Sequence, residues 1–203
     1  MSIVKISPKN SKLGRVNNLN FPPCFTCIDM PCKDKCYARK AYVQYPNVRE
    51  AWNHNYKEYT DNPKQFVQDF IAQMKNKKKK DIFRWHSSGE IMGQRHLDDL
   101  FYIATQLPET RFLVFTKKYN LDYSAKPDNF VVIFSAWPGL DMPEHIMKNN
   151  RIAFMLDKEG VETRHEDRNT FVCPGVTKKT HCDKCQMCWN IDKIGKDVVF
   201  PEH

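Results

Sequence analysis

A chain of 203 residues that is 41% apolar and 12% aromatic can bury a core of its own, which excludes wholesale disorder. Apolar runs such as Phe130 to Phe134 are far too short to span a bilayer, and no apolar signal-peptide stretch opens the chain, so a cytoplasmic protein without membrane association is expected. The formal charge of +8 and a pI near 9.0 suggest nucleic acid or a nucleotide as partner.

In chain order, residues 1–22 are polar with scattered hydrophobics, a loop leading into a short strand at Val16 to Phe21 that Pro22-Pro23 ends. A cysteine-rich loop follows and runs into Ala38 to Tyr45. Val48, Ala51, Trp52, Tyr56 and Tyr59 then recur at helical spacing. Asn62-Pro63 starts the next helix, with Asn62 as cap and Pro63 in the first turn. Its stripe of Phe66, Val67, Phe70, Ile71 and Met74 stops at the run Lys75-Asn-Lys77-Lys78-Lys79-Lys80, a basic C-terminal turn or a phosphate contact.

From residue 81 short apolar segments alternate with helix. The segments are Asp81 to Trp85, Arg111 to Phe115, Asn129 to Phe134 and Arg151 to Leu156, with a helix from about His96 to Leu107 and a short one at Pro143 to Lys148. This predicts one α/β domain over 1–203, a partial (β/α) barrel or an open, mostly parallel sheet with helical crossovers. The charged stretch from Val161 to Thr170, which contains His165, reads as an exposed connection.

The eight cysteines fall into two groups: Cys24, Cys27, Cys32 and Cys36 near one end, and Cys173, Cys182, Cys185 and Cys188 near the other. Thiols this close are held by a cation that takes their protons and offsets their charge, whereas structural disulfides need an oxidising compartment and cysteines spread along the chain. All eight are therefore candidate metal ligands that tie both ends of the fold. Gaps of two, four and three residues in the first group, and eight, two and two in the second, favour iron–sulfur clusters, two of the [4Fe–4S] type, over the paired knuckles of zinc, which is the alternative. His181 is a backup ligand. Four thiolates on a doubly positive centre leave a charge of −2, so two filled sites lower +8 to about +4 and weaken the nucleic-acid argument.

Polar groups gather after each strand: His86-Ser87-Ser88-Gly89-Glu90, Thr116-Lys117-Lys118, Ser135-Ala136-Trp137 and Asp157-Lys158-Glu159. Parallel folds build their sites at this edge, which predicts one pocket holding His86, Ser88, Glu90, Lys117 and Ser135 beside the first cysteine loop.

These stretches, with Asn10-Ser11-Lys12-Leu13-Gly14, Thr26-Cys27, Cys36-Tyr37-Ala38, Pro46-Asn47-Val48-Arg49, Phe115-Thr116-Lys117 and Cys188-Trp189, resemble the phage "gene product 88" family over nearly the whole chain. The resemblance implies phage or prophage origin, hence a host cytosol, and metal binding without a known reaction. A weaker likeness is to radical S-adenosylmethionine enzymes. It implies that Cys27, Cys32 and Cys36 hold a cluster with one iron open to S-adenosylmethionine, that Ser88, Gly89 and Glu90 receive its amino group, and that Ser135 approaches its ribose. The x4 and x3 gaps depart from that family's x3 and x2, and Cys24 could close the site. Two readings follow: an iron–sulfur enzyme acting on nucleic acid or a nucleotide, and a non-catalytic module stapled by zinc or closed clusters that binds nucleic acid or a host protein. A hydrolase using one metal with His86 and Glu90 is a third, and it lacks a mixed histidine and carboxylate ligand set.

Overall fold

The structure, a computed structural model, describes residues 4–27, 31–33, 36–78, 81–156 and 168–201. The apolar segments become strands β1 (Asn17–Leu19), β2 (Ile82–Trp85), β3 (Arg111–Thr116), β4 (Phe130–Ser135) and β5 (Ile152–Leu156). Two further strands, β6 (Thr170–Val172) and β7 (Asp197–Pro201), complete a seven-stranded sheet in the order β1-β2-β3-β4-β5-β7-β6. Every neighbouring pair is parallel. With β1 and β6 as edges the sheet is open, and it is wholly rather than mostly parallel.

Five helices of six residues or more accompany it: α1 (Tyr37–Gln44), α2 (Pro46–Asp61), α3 (Pro63–Lys75), α4 (Gln94–Gln106) and α5 (Glu144–Asn149). Proline opens both α2 and α3, where its missing N–H costs nothing, and the Asn62 side chain accepts from the Gln65 N–H at 3.3 Å to cap α3.

The strands are buried on both faces, so their alternation sorts two cores. Phe83, Trp85, Phe112, Val114 and Phe130 face the apolar stripes of α2, α3 and α4, and Phe134, Ile152, Phe154 and Val199 continue that face against Ile146 of α5. A sheet whose strands run mostly in sequence order, joined by right-handed crossovers, carries its helices on one side. The opposite, inner face presents Ile82, Leu113, Val131, Ile133, Ala153 and Val198. No long helix covers it. The cover is Leu13 and Val16 from the N-terminal segment with Trp189 and Ile191 from the C-terminal one, and Cys173, Cys182 and Cys188 pack against the same cluster. Trp189 anchors this cover by donating from Nε1 to the Phe83 carbonyl at 3.1 Å.

Candidate metal centres at the strand ends

Because all strands are parallel, the loops after β1 to β4 and after β6 leave from one edge. The first cysteine group enters there, directly beyond β1. Cys24 sits in a turn after Pro22-Pro23 with a left-handed backbone, φ 70°, uncommon for a residue with a Cβ. Thr26, beside Cys27, is buried, and its Oγ1 accepts the Glu90 N–H at 2.7 Å. Gly89, at φ 81°, lets the loop after β2 lie against this turn: a Cβ there would come within 2.9 Å of Phe21 Cβ and 3.2 Å of Thr26 Oγ1. The Thr26-Cys27 and Ser88-Gly89-Glu90 motifs are thus two halves of one contact.

Within the first group, burial raises the thiol pKa of Cys24, Cys27 and Cys32, and that of Cys27 is pushed up to about 11. The proximity of the thiols to one another adds to this: Cys36 acts on Cys24 and Cys32, and Cys24 and Cys32 act on Cys27. Cys24 and Cys36 also share a side-chain hydrogen bond. The backbone N–H of Cys24 directed at Cys27, and Lys117 beside Cys32, oppose the shift by favouring thiolate.

The second group starts where β6 ends. Cys173 opens α6 (Pro174–Thr177), and its sulfur accepts from the backbone of Gly175 and Val176. Cys182 and Cys185 bound the single turn α7 (Cys182–Cys185), Gln186 reverses the chain at φ 50°, and Cys188 follows. Burial pushes Cys182 to about 11 and Cys188 further up, with the neighbouring thiols of the group adding in each case. The Asn10 to Gly14 loop docks on this turn. Asp183 N–H donates to the Leu13 carbonyl at 3.0 Å, Arg15 N–H to Asp183 Oδ2 at 3.0 Å, and a Cβ on Gly14 would fall 2.3 Å from Asp183 Oδ1. His181, the backup ligand, is exposed.

None of the eight cysteines is in a disulfide. Among the described residues no three Cys, His, Asp or Glu side chains converge closely enough to hold one metal ion as they stand. The donors nevertheless suit a soft metal: each group is all sulfur, its thiols lie within electrostatic reach of one another, and amide hydrogens already point at Cys27 and Cys173. Drawing four such thiolates to bond distance is the step that metal binding itself drives.

The structure does not gather all five predicted pocket residues. Glu90 is buried, and its carboxylate accepts from Ile91 N–H at 2.9 Å, Thr116 Oγ1 at 2.8 Å and Lys117 N–H at 3.0 Å, clamping the loop after β2 to that after β3. Ser88 is buried too. Its Oγ donates to the Phe21 carbonyl at 2.9 Å and its N–H to Asn20 Oδ1 at 3.0 Å. His86, at φ 52°, turns away from the inner face into the aromatic core against Phe21 and His96, with ring centroids 5.1 and 5.2 Å away. Neither of its ring nitrogens has a hydrogen-bond partner among the described residues, and burial lowers its pKa well below the ordinary histidine value. Lys117 holds its ammonium 5.6 Å from the centre of the Trp137 ring, and Ser135 shares a strand face with Val131 and Ile133. Asp157 to Glu159 and His165 lie outside the described residues.

Sequence reasoning missed the inner face between the groups. Arg84 projects there from β2, its guanidinium 4.0 Å from the Phe115 ring centre and its Nε donating to the Trp85 carbonyl at 3.0 Å. It lies within electrostatic reach of Cys182 and Cys188 and also of Tyr37 and Glu90, while burial lowers its pKa from the usual arginine value. Lys12 stands 4.9 Å from the Tyr37 ring centre and feels Cys173. Tyr37 directly follows Cys36 and donates from its hydroxyl to the Ser87 carbonyl. Its residue is 63% exposed although its hydroxyl is deeply surrounded, as fits a side chain lining a hollow. The two cysteine groups, remote in sequence, therefore tie the chain's two ends together around one recess. A signal was present: Arg84 is the single charge in Ile82-Phe83-Arg84-Trp85, a strand otherwise apolar on both faces.

The gene product 88 family model matches residues 6–191. The chain belongs to the gene product 88 family. That match takes in both cysteine groups, the loops after β2 and β3, and Arg84. No curated protein is significantly similar to the chain, and no solved structure is.

Proposed function

We propose that this member of the gene product 88 family is an iron–sulfur protein with two four-thiolate centres, which works at the strand C-terminal edge on a small or nucleotide-like substrate. The observation that carries the reading is the meeting of two all-cysteine groups across one cation-lined recess. Iron–sulfur clusters bound there would supply one-electron chemistry.

The chain divides the work between the groups. Cys173, Cys182 and Cys188 pack on the core that covers the inner sheet face, so the second group joins the C-terminal segment to the sheet and serves structure first. The first group lies in a loop with exposed Phe25 and Tyr37 beside it, and it is the one that outside molecules can approach. Glu90 and Ser88 hold the loops in place, their polar atoms already engaged. Lys117, Ser135 and Arg84 are the groups left to orient a substrate. Whether Cys24 closes the first centre decides between simple electron transfer and the use of S-adenosylmethionine.

The test is anaerobic purification followed by metal analysis and visible absorption. The reading expects iron with acid-labile sulfide and a broad band near ~400 nm. Zinc as the sole metal, in colourless protein, would replace it with a non-catalytic module whose two sites only staple the fold.

A further inference from the structure

Arg84 is a charge placed where it is costly to keep. It leaves the middle of β2 on the inner face, it is surrounded deeply enough to lower its pKa, and among the described residues its one hydrogen bond is from Nε to the Trp85 carbonyl. We propose that the two terminal amino groups of Arg84 anchor an oxyanion site between the cysteine groups, taking the carboxylate or phosphate of a small substrate or cofactor.

Geometry supports this in three ways. Stacking of the guanidinium on Phe115 and the Nε bond to Trp85 fix the plane of the fork, so its outer edge is pre-organised to bind an oxyanion through two parallel hydrogen bonds. Cys182 and Cys188 act on Arg84 through charge alone, with no hydrogen bond from the guanidinium to either sulfur. The surroundings are cationic and aromatic, with Lys12 over Tyr37 at 4.9 Å and Lys117 over Trp137 at 5.6 Å, so an anion entering the recess meets positive charge. The proposal deepens the functional reading by naming the chemistry of its ligand, yet it stands whether the thiols hold iron or zinc. The competing role is that of a counter-ion, in which Arg84 only offsets thiolate charge and binds nothing.

Full-length protein carrying its native metals is titrated by thermal shift with inorganic phosphate and, separately, with acetate, each against chloride of equal ionic strength. A saturable rise in Tm over chloride with at least one of the two is expected, and the arm that responds assigns phosphate or carboxylate. Arg84→Gln should abolish the rise, and Arg84→Lys, a point charge without the fork, should need roughly tenfold more anion. No rise with either anion overturns the proposal in favour of the counter-ion, as does an equal rise in Arg84→Gln. Should Arg84→Gln not fold, wild-type protein is treated with phenylglyoxal: protection of Arg84 by the anion but not by chloride supports the site, and equal modification overturns it. Iron and zinc are counted on the same samples, so failure of the metal reading and failure of the anion site are told apart.

Discussion

Glu90 shows how much a single side chain can carry at this edge. Three donors converge on its carboxylate, and its own N–H goes to Thr26, so the loops after β1, β2 and β3 all meet at this residue. Glu90→Gln keeps one acceptor but turns an amide donor towards either Lys117 N–H or the Ile91 and Thr116 donors. We predict a loss of about 1–3 kcal/mol, read as a lower urea midpoint with an unchanged slope. Gly14 carries the corresponding contact at the second group. Its φ is 70°, and a methyl group on it would lie 2.3 Å from Asp183 Oδ1, so Gly14→Ala must push the N-terminal loop off the Cys182 turn. A drop of about 2 kcal/mol or more is expected, larger than the strain of a left-handed alanine alone would give. At this scale the sequence showed which residues are chemical but not which are already occupied. Ser88 and Glu90 read as ligand-binding because they follow a strand, and only the fold reveals that their partners are Phe21, Asn20, Thr116 and Lys117. Arg84 was hidden for the converse reason, since a residue inside a strand reads as wall rather than as site.

Where β2 leads into α4, two buried histidines meet. His96 accepts the Met92 N–H on Nδ1 at 3.2 Å and lies 4.4 Å, ring to ring, from Tyr59, and burial lowers its pKa to about 3. His86 beside it is lowered in the same direction by burial, by His96 and by Arg84. Both are neutral in the folded chain and take a proton more readily once unfolded. Their contribution is fully present above the ordinary histidine value near 6.5 and is lost as pH falls towards about 3. Each histidine should tilt stability by about 1.4 kcal/mol per pH unit within that window. Urea unfolding between these limits should show the tilt, and His96→Gln, which can still accept from Met92, should make it shallower; an unchanged tilt would mean that these rings are not its source. Elements were unevenly legible. The central strands stood out because apolar runs of five or six residues sit between turn signals, and α3 because its cap and stripe agree. β6 was missed because three residues, Thr170–Val172, carry no period, and β7 because Asp197–Pro201 starts on a buried acid and ends on proline. That acid, Asp197, is paired with Arg168 and accepts from Ile152 N–H at 2.9 Å, a partnership invisible from either residue alone.

For the whole molecule, the central question is what the eight thiols do together. No helix among the described residues is long and apolar enough to cross a membrane, and the formal charge of +8 falls to about +4 once two four-thiolate centres are counted. The open-iron form of the proposal makes its own prediction. Adding S-adenosylmethionine to the reduced protein should change its electron paramagnetic resonance signal, and Cys24→Ala should keep both the cluster and the response while Cys27→Ala loses them. Loss of the first cluster in Cys24→Ala would show a closed site that offers the cofactor no iron. The grouping of the cysteines was plain from spacing, and their meeting across the inner face was not, because it depends on β6 and the C-terminal turn packing where a barrel would have closed. The most direct measurement is the iron and acid-labile sulfide content of anaerobically purified wild type, Cys27→Ala and Cys185→Ala, side by side. The account predicts two clusters per wild-type chain and one in each folded variant; full wild-type content in either variant, or zinc in place of iron throughout, would contradict it.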